Sequence, residues 1–207
     1  NFVGWDVSYN DNNPFPQSAD YDHGTLVAGC VSASTNNSLG VASVGWSVKL
    51  MGVNNSTDPE TVTDSYDGVL AAAQMGADVI NMSWGGSGGG AQNIMNVVYN
   101  DYGCILVASA GNGDEDGNTD FAFHTPSGLD NVISVSAVGQ NDIFGCWATG
   151  GTTVDLCAPG ESIITTDTGN GYASVRGTSF SAQLQLVRWL FCYLITLIKI
   201  KIGLLID

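Results

Sequence analysis

Ser179 stands in the stretch Gly177-Thr178-Ser179-Phe180-Ser181-Ala182, where small residues surround one hydroxyl at the point where a loop should become a helix. A serine hydroxyl is a poor nucleophile at neutral pH unless a neighbouring base takes its proton during attack. His23, in His23-Gly24-Thr25-Leu26-Val27-Ala28-Gly29, is the candidate base. The small neighbours of Ser179 would let a substrate backbone come close, and a helix N-terminus favours developing negative charge. Neither segment is decisive alone, since a serine before a helix is ordinarily an N-cap.

The elements that must position these residues are legible as alternating patterns. A helix is expected from His23 to about Ser34, broken by Asn36-Asn37-Ser38, followed by a buried strand over Val48–Val53. Val62–Met75 has helical periodicity, Val79–Met82 is a short apolar strand, and Ala91–Tyr102 reads as a further helix. Ile105–Ala108 and Val132–Val138 read as further strands. Strands alternating with helices of ten or so residues imply an α/β fold, a mostly parallel sheet with helices on both faces. Functional groups would then sit on loops at the carboxyl ends of the strands.

Composition narrows the function classes. The 207 residues fit one sizeable domain. Twenty acidic residues against five basic ones give a net charge of −15, which argues against nucleic acid or an anionic membrane as partner. That balance suits a soluble, secreted, extracellular protein, and a monomer is expected. No signal peptide stands at Asn1, so any export signal would have been removed or would lie outside this chain. The five cysteines, Cys30, Cys104, Cys146, Cys157 and Cys192, show no metal-ligand spacing. Cys30, Cys104 and Cys157 sit among apolar or small residues and read as buried thiols, with one disulfide left open.

A third motif, Ala108-Ser109-Ala110-Gly111-Asn112, falls between the other two. Together, His23-Gly-Thr, Ser109-Ala-Gly-Asn112 and Gly177-Thr-Ser179 resemble the subtilisin-like serine proteases, the subtilases. The resemblance covers roughly residues 3–182. His23 and Ser179 are 156 residues apart, against about 157 between the same two roles in subtilisin.

The resemblance implies a three-layer fold and a serine endopeptidase acting through an acyl-enzyme on protein or peptide substrates. His23 would be the general base, Ser179 the nucleophile, and Asn112 the side-chain donor to the oxyanion, with the Ser179 N–H as second donor. Ser83-Trp84-Gly85 would pair with an extended peptide as an added strand. Ser109, Ala110 and Gly111 would form the facing wall of the primary pocket. Trp84 would either shape that pocket or cover apolar surface. Asn81 is expected to be structural, and His124 a surface or supporting residue. The chemistry requires no cofactor. Asn36-Asn37-Ser38-Leu39-Gly40-Val41 resembles a calcium loop of the family, with a plain asparagine-rich turn as the alternative reading, and the metal ligands are left unassigned. The acidic group Asp114, Glu115, Asp116 and Asp120 reads as a solvated loop. Gly86–Gly90 lies between a strand and a helix, as a phosphate loop would, but no Lys or Arg lies nearby.

Two features depart from the family pattern. In subtilisin the aspartate that holds the imidazole ends a strand about 32 residues before the histidine. Here only 22 residues precede His23, and none of Asp6, Asp11, Asp20 and Asp22 reads as ending an apolar strand. The expectation is a truncated domain that begins beyond that aspartate, with activity impaired or replaced by non-catalytic peptide binding. The second departure follows Ala182, where Gln183, Arg188, Trp189, Phe191 and Tyr193 replace the small residues of the family's helix. The domain expectation is therefore a partial peptidase domain over 1–182 and an aberrant hydrophobic tail over 183–207, from a frameshift or read-through. The uncharged run Trp189–Ile198 is about half the roughly 20 residues that a membrane span needs.

Overall fold

The computed structural model describes residues 3–15, 18, 20–46, 48–58, 61–86, 90–113, 124–185 and, as backbone, 201–206. Seven strands form one parallel sheet. They are β1 (Val3–Asp6), β2 (Lys49–Asn54), β3 (Val79–Met82), β4 (Ile105–Ser109), β5 (Val132–Val138), β6 (Leu156–Pro159) and β9 (Lys201–Ile206), ordered β1-β2-β9-β3-β4-β5-β6. A separate antiparallel hairpin joins β7 (Ile163–Asp167) to β8 (Gly171–Val175).

The sheet is covered on both faces because its central strands are apolar on both. Ile80, Met82, Leu106 and Ala108 point to one side and pack with Val69, Ala72 and Ala73 of α2 (Ser65–Gln74) and Met95 and Val98 of α3 (Gln92–Asn100). Alternate residues Val79, Val107 and Val135 point to the other side, where Val31 of α1 (His23–Ser32) and Ala182 of α4 meet them. Helix α4 starts at Thr178 and is described as far as residue 185. The result is the three-layer α/β arrangement expected from the sequence.

The hairpin fixes α1, and with it His23. Thr165 Oγ1 donates to Leu26 O at 2.6 Å, and Thr166 Oγ1 donates to Thr25 O at 3.1 Å. This approach needs a glycine: a Cβ on Gly29 would run into the hydroxyls of Thr165 and Thr166 and lie 2.8 Å from Thr166 N.

The expected helices and strands of the first 138 residues are present with ends shifted by a few residues, while β1, β6 and the β7–β8 hairpin were not foreseen. Asp6 does end a strand, contrary to the sequence reading. Its carboxylate accepts from Tyr9 N at 2.9 Å and from Asn54 Nδ2 at 2.7 Å. The boundary expected after Ala182 falls inside α4, and the last part of the supposed tail is β9, in the middle of the sheet. Parallel strands buried on both faces read as unbroken apolar runs, and period alone does not separate these from a helix. Residues 186–200, including Arg188, Trp189, Phe191, Cys192 and Tyr193, lie outside the described residues, as do 87–89 of the glycine loop and the acidic segment 114–123.

Candidate active site

Ser179 sits in the first turn of α4, and the turn before it is held on several sides. Gly177 N donates to Gly160 O at 2.9 Å. Thr178 N and Thr178 Oγ1 both donate to Asn112 Oδ1, at 2.9 and 3.0 Å, and Gly111 N donates to Thr178 Oγ1 at 3.2 Å. With Oδ1 occupied twice, the two Nδ2 hydrogens of Asn112 remain for an oxygen in the cleft. The Ser179 N–H belongs to a helix's first turn, whose amides have no acceptor within the helix.

The loop after β3 meets this turn. Ser83 Oγ donates to Ser179 O at 2.9 Å and Ser179 Oγ donates to Ser83 O at 3.2 Å. Asn81, fully buried, turns its amide oxygen to Ser83, where it accepts from Ser83 N at 3.3 Å and lies 2.8 Å from Ser83 Oγ, a structural role as expected. His23 begins α1, and its ring lies edge-on to Phe180, with centroids 6.2 Å apart.

A cleft of about 340 Å³ gathers these groups, lined by His23, Ser83, Trp84, Gly85, Gly86, Ser109, Gly111, Asn112, Gly113, His124, Thr178 and Ser179. The structure thus brings together every residue singled out for the site except Ala110, which is buried, with its amide donating to Val135 O at 2.9 Å. Gly111 takes φ +106°, a left-handed conformation that glycine adopts freely. Its carbonyl accepts from Thr149 N, and Gly113 N donates to Thr149 Oγ1, which anchors this wall. The opposite wall, Gly85-Gly86, is pinned by reciprocal backbone bonds between Gly86 and Thr125, both 3.0 Å. Trp84 lines the cleft, and its indole packs edge-on to Tyr66 at 5.5 Å and against the core below α2.

Of the two places expected for His124, surface or supporting, the structure shows a buried one. His124 is 8% exposed and stands between the two walls: a Cβ on Gly85 would lie 2.9 Å from its Nε2, and one on Gly111 3.2 Å away. Its Nδ1 is hydrogen-bonded to Ser127 Oγ at 2.7 Å. Burial pushes its pKa below the ordinary 6.5, so the ring is neutral at pH 7. A histidine with no motif around it carries no sequence signal for such a place.

Among the described cysteines all four are free thiols; Cys30 and Cys104 are buried, but Cys157 is exposed. β6 is an edge strand whose side chains alternate, and Cys157 falls on its open face. Burial raises the Cys104 thiol to about 11, which keeps it protonated and inert. Among the described residues no three His, Cys, Asp or Glu side chains cluster as a metal site. The loop 36–41 offers no carboxylate, and Asn37 Oδ1 already accepts from Leu39 N at 3.0 Å. No helix among the described residues is long and apolar enough to cross a membrane.

Comparison with known proteins places these motifs in context. Residues 3–184 match the sequence model of the Subtilase family. The thermophilic serine proteinase of Bacillus sp. (strain AK1) is 37% identical over 183 residues, 86% of this chain and 43% of that protein. The halolysin-like extracellular serine protease Nep of Natrialba magadii is 32% identical over 186 residues, 87% of this chain and 33% of that protein. The chain therefore spans less than half the length of either relative. A crystal structure of a cold adapted subtilisin-like serine proteinase superposes with a TM-score of 0.74 at 24% identity, covering 94% of this chain and 68% of that one. At that identity the likeness concerns the fold.

Proposed function

Because this chain belongs to the subtilase family, we propose that it is a serine endopeptidase with His23, Ser179 and Asn112 as its catalytic residues. The observation that carries the reading is their convergence in one cleft, with Ser179 at the start of a helix and the Asn112 amide donors uncommitted.

The substrate enters as an extended peptide along Ser83-Trp84-Gly85, its side chain before the scissile bond facing Ser109 and Gly111 with His124 at the base. At rest the Ser179 hydroxyl donates to Ser83 O; rotation about Cα–Cβ redirects it toward His23. His23 Nε2 takes the proton as Ser179 Oγ bonds to the carbonyl carbon, and the carbonyl oxygen becomes an oxyanion held by Asn112 Nδ2 and the Ser179 N–H. Collapse of that intermediate breaks the C–N bond, and His23 returns the proton to the leaving amine. Water then enters by the same steps, releasing the acid and restoring Ser179. The substrates are proteins or peptides, the protein acts outside the cell as a monomer, and nothing in this sequence of steps needs a metal.

A fluorophosphonate probe tests the reading. Covalent labelling of the chain, abolished in Ser179→Ala, is the expected result; a folded chain that takes no label overturns it. One observation favours a second reading, a peptide-binding pseudoprotease. Among the described residues the cleft lining contains no carboxylate, and a triad deprived of its aspartate would lose about 10⁴-fold in turnover. Binding of an extended peptide without cleavage or labelling would support that alternative.

A further inference from the structure

We propose that Arg176 is a specificity-determining residue of this site: braced on Trp147 beside the oxyanion position, it binds a carboxylate on the leaving-group part of the substrate. That carboxylate is an Asp or Glu side chain or a free C-terminus. The inference deepens the function proposed above and rests on it.

Arg176 stands between β8 and the turn that presents the nucleophile, and only Gly177 and Thr178 separate it from Ser179. Gly177 is fixed by donation to Gly160 O at 2.9 Å. A Cβ on Gly177 would lie 3.4 Å from the Phe180 ring and 3.7 Å from Asn112 Nδ2. Phe180 in turn faces the His23 ring. The backbone just after Arg176 therefore borders both the oxyanion donor and the aromatic ring beside the base. The acyl part of the substrate lies along Ser83-Trp84-Gly85, on the β3 side of Ser179. The leaving amine collects its proton from His23, so its part of the chain departs past Phe180 and Gly177, toward Arg176.

Trp147 holds the guanidinium in place. The Arg176 Cζ is 5.1 Å from the centroid of the indole, inside the roughly 6 Å over which a ring face attracts a cation. Trp147 is half-buried in a fixed turn, where Gly145 N donates to Ala137 O at 3.1 Å and Ala148 N to Gly145 O at 2.8 Å. A guanidinium stacked on a ring keeps its N–H groups at its edge, and that planar fork matches the two oxygens of a carboxylate. Arg176 is exposed, and among the described residues no carboxylate pairs with it. Glu161, which follows Gly160, lays its carboxylate against Gly139 instead.

Charge makes this cation matter. A chain of net charge −15 repels an acidic peptide unless a local cation offsets the field. Of the other basic residues, Lys49 and Lys201 open β2 and β9, at the end of the parallel sheet away from Ser83, and Arg188 and Lys199 lie outside the described residues. Arg176 is the cation that the described structure places at the cleft end.

Two pairs of quenched peptides test this on the full chain. The first pair differs only in Glu or Gln just after the scissile bond, with a distant amidated C-terminus. The second carries Gln there and ends shortly afterwards in a free or an amidated C-terminus, which tells a terminal carboxylate from a side chain. In at least one pair the carboxylate peptide should show kcat/KM higher by roughly fivefold. Arg176→Gln should bring that ratio to about one and Arg176→Glu should invert it, with unchanged circular dichroism. The same peptides are titrated by fluorescence anisotropy against Ser179→Ala, where no turnover is needed. Cleavage without an Arg176-dependent preference in either pair overturns the inference and leaves the peptidase reading standing. No cleavage, with Arg176-dependent tighter binding of a carboxylate peptide, overturns the peptidase reading and upholds the selection by charge. No cleavage and no difference in binding overturns both.

Discussion

Ser83 and Ser179, 96 residues apart, hold each other through two hydrogen bonds: each hydroxyl donates to the other's carbonyl, at 2.9 and 3.2 Å. The bond from Ser83 locks the first turn of α4 to the loop after β3, so the nucleophile's backbone is fixed while its hydroxyl remains free to turn. Ser83→Ala leaves the Ser179 carbonyl without this donor in a buried setting. Stability should fall by about 1–3 kcal/mol, read from the midpoint of urea denaturation at unchanged slope.

Asn112 separates scaffold from chemistry. Asn112→Asp keeps an oxygen for Thr178 N and Thr178 Oγ1 but replaces the amide donors with a second acceptor. The variant should fold, and kcat on a peptide substrate should fall by about 10²–10³ or more with KM little changed. A variant as active as the parent would remove Asn112 from the proposed oxyanion site.

Gly29 marks the closest approach between α1 and the β7–β8 hairpin. Gly29→Ala forces the helix outward or breaks the two threonine bonds to Leu26 O and Thr25 O. A loss of about 1–3 kcal/mol is expected from overpacking. Because α1 begins at His23, labelling of Ser179 should slow as well. Thermal melting and probe kinetics, measured together, check both effects.

His124 gives stability a pH dependence of known sign. Its folded pKa lies below 6.5 because burial disfavours the charged ring. The unfolded chain therefore binds more protons in the window below 6.5. This contribution is complete above pH 6.5 and is lost as pH falls through the lower, folded value. Denaturation midpoints should drop as pH falls from 6.5 toward the folded value, and His124→Gln should flatten the drop. If the two curves keep the same slope, His124 is not the responsible group.

Several levels of this protein could be read directly from its residues. Val79–Met82, Ile105–Ala108 and Val132–Val138 are apolar runs bounded by glycine and polar turns, and each became a strand because its own side chains favour burial on both faces. The motifs around His23, Asn112 and Ser179 were visible because each is a contiguous run of small residues beside one reactive group. His124 was left open between two places and Cys157 was misjudged for the opposite reason: their surroundings are made by Gly85, Gly111 and the open edge of β6, none of them sequence neighbours.

By itself, then, the sequence determined the helices and the central strands of the first 138 residues and the candidates for the chemistry, since period, turn residues and side-chain type are local properties. Only the tertiary structure decided that Lys201–Ile206 enters between β2 and β3, and that Ser83 meets Ser179. Backbone hydrogen bonds are the same for every strand, so no strand names its neighbour. Strand order is settled when all the apolar faces compete for one buried interior, and that competition involves the whole chain at once.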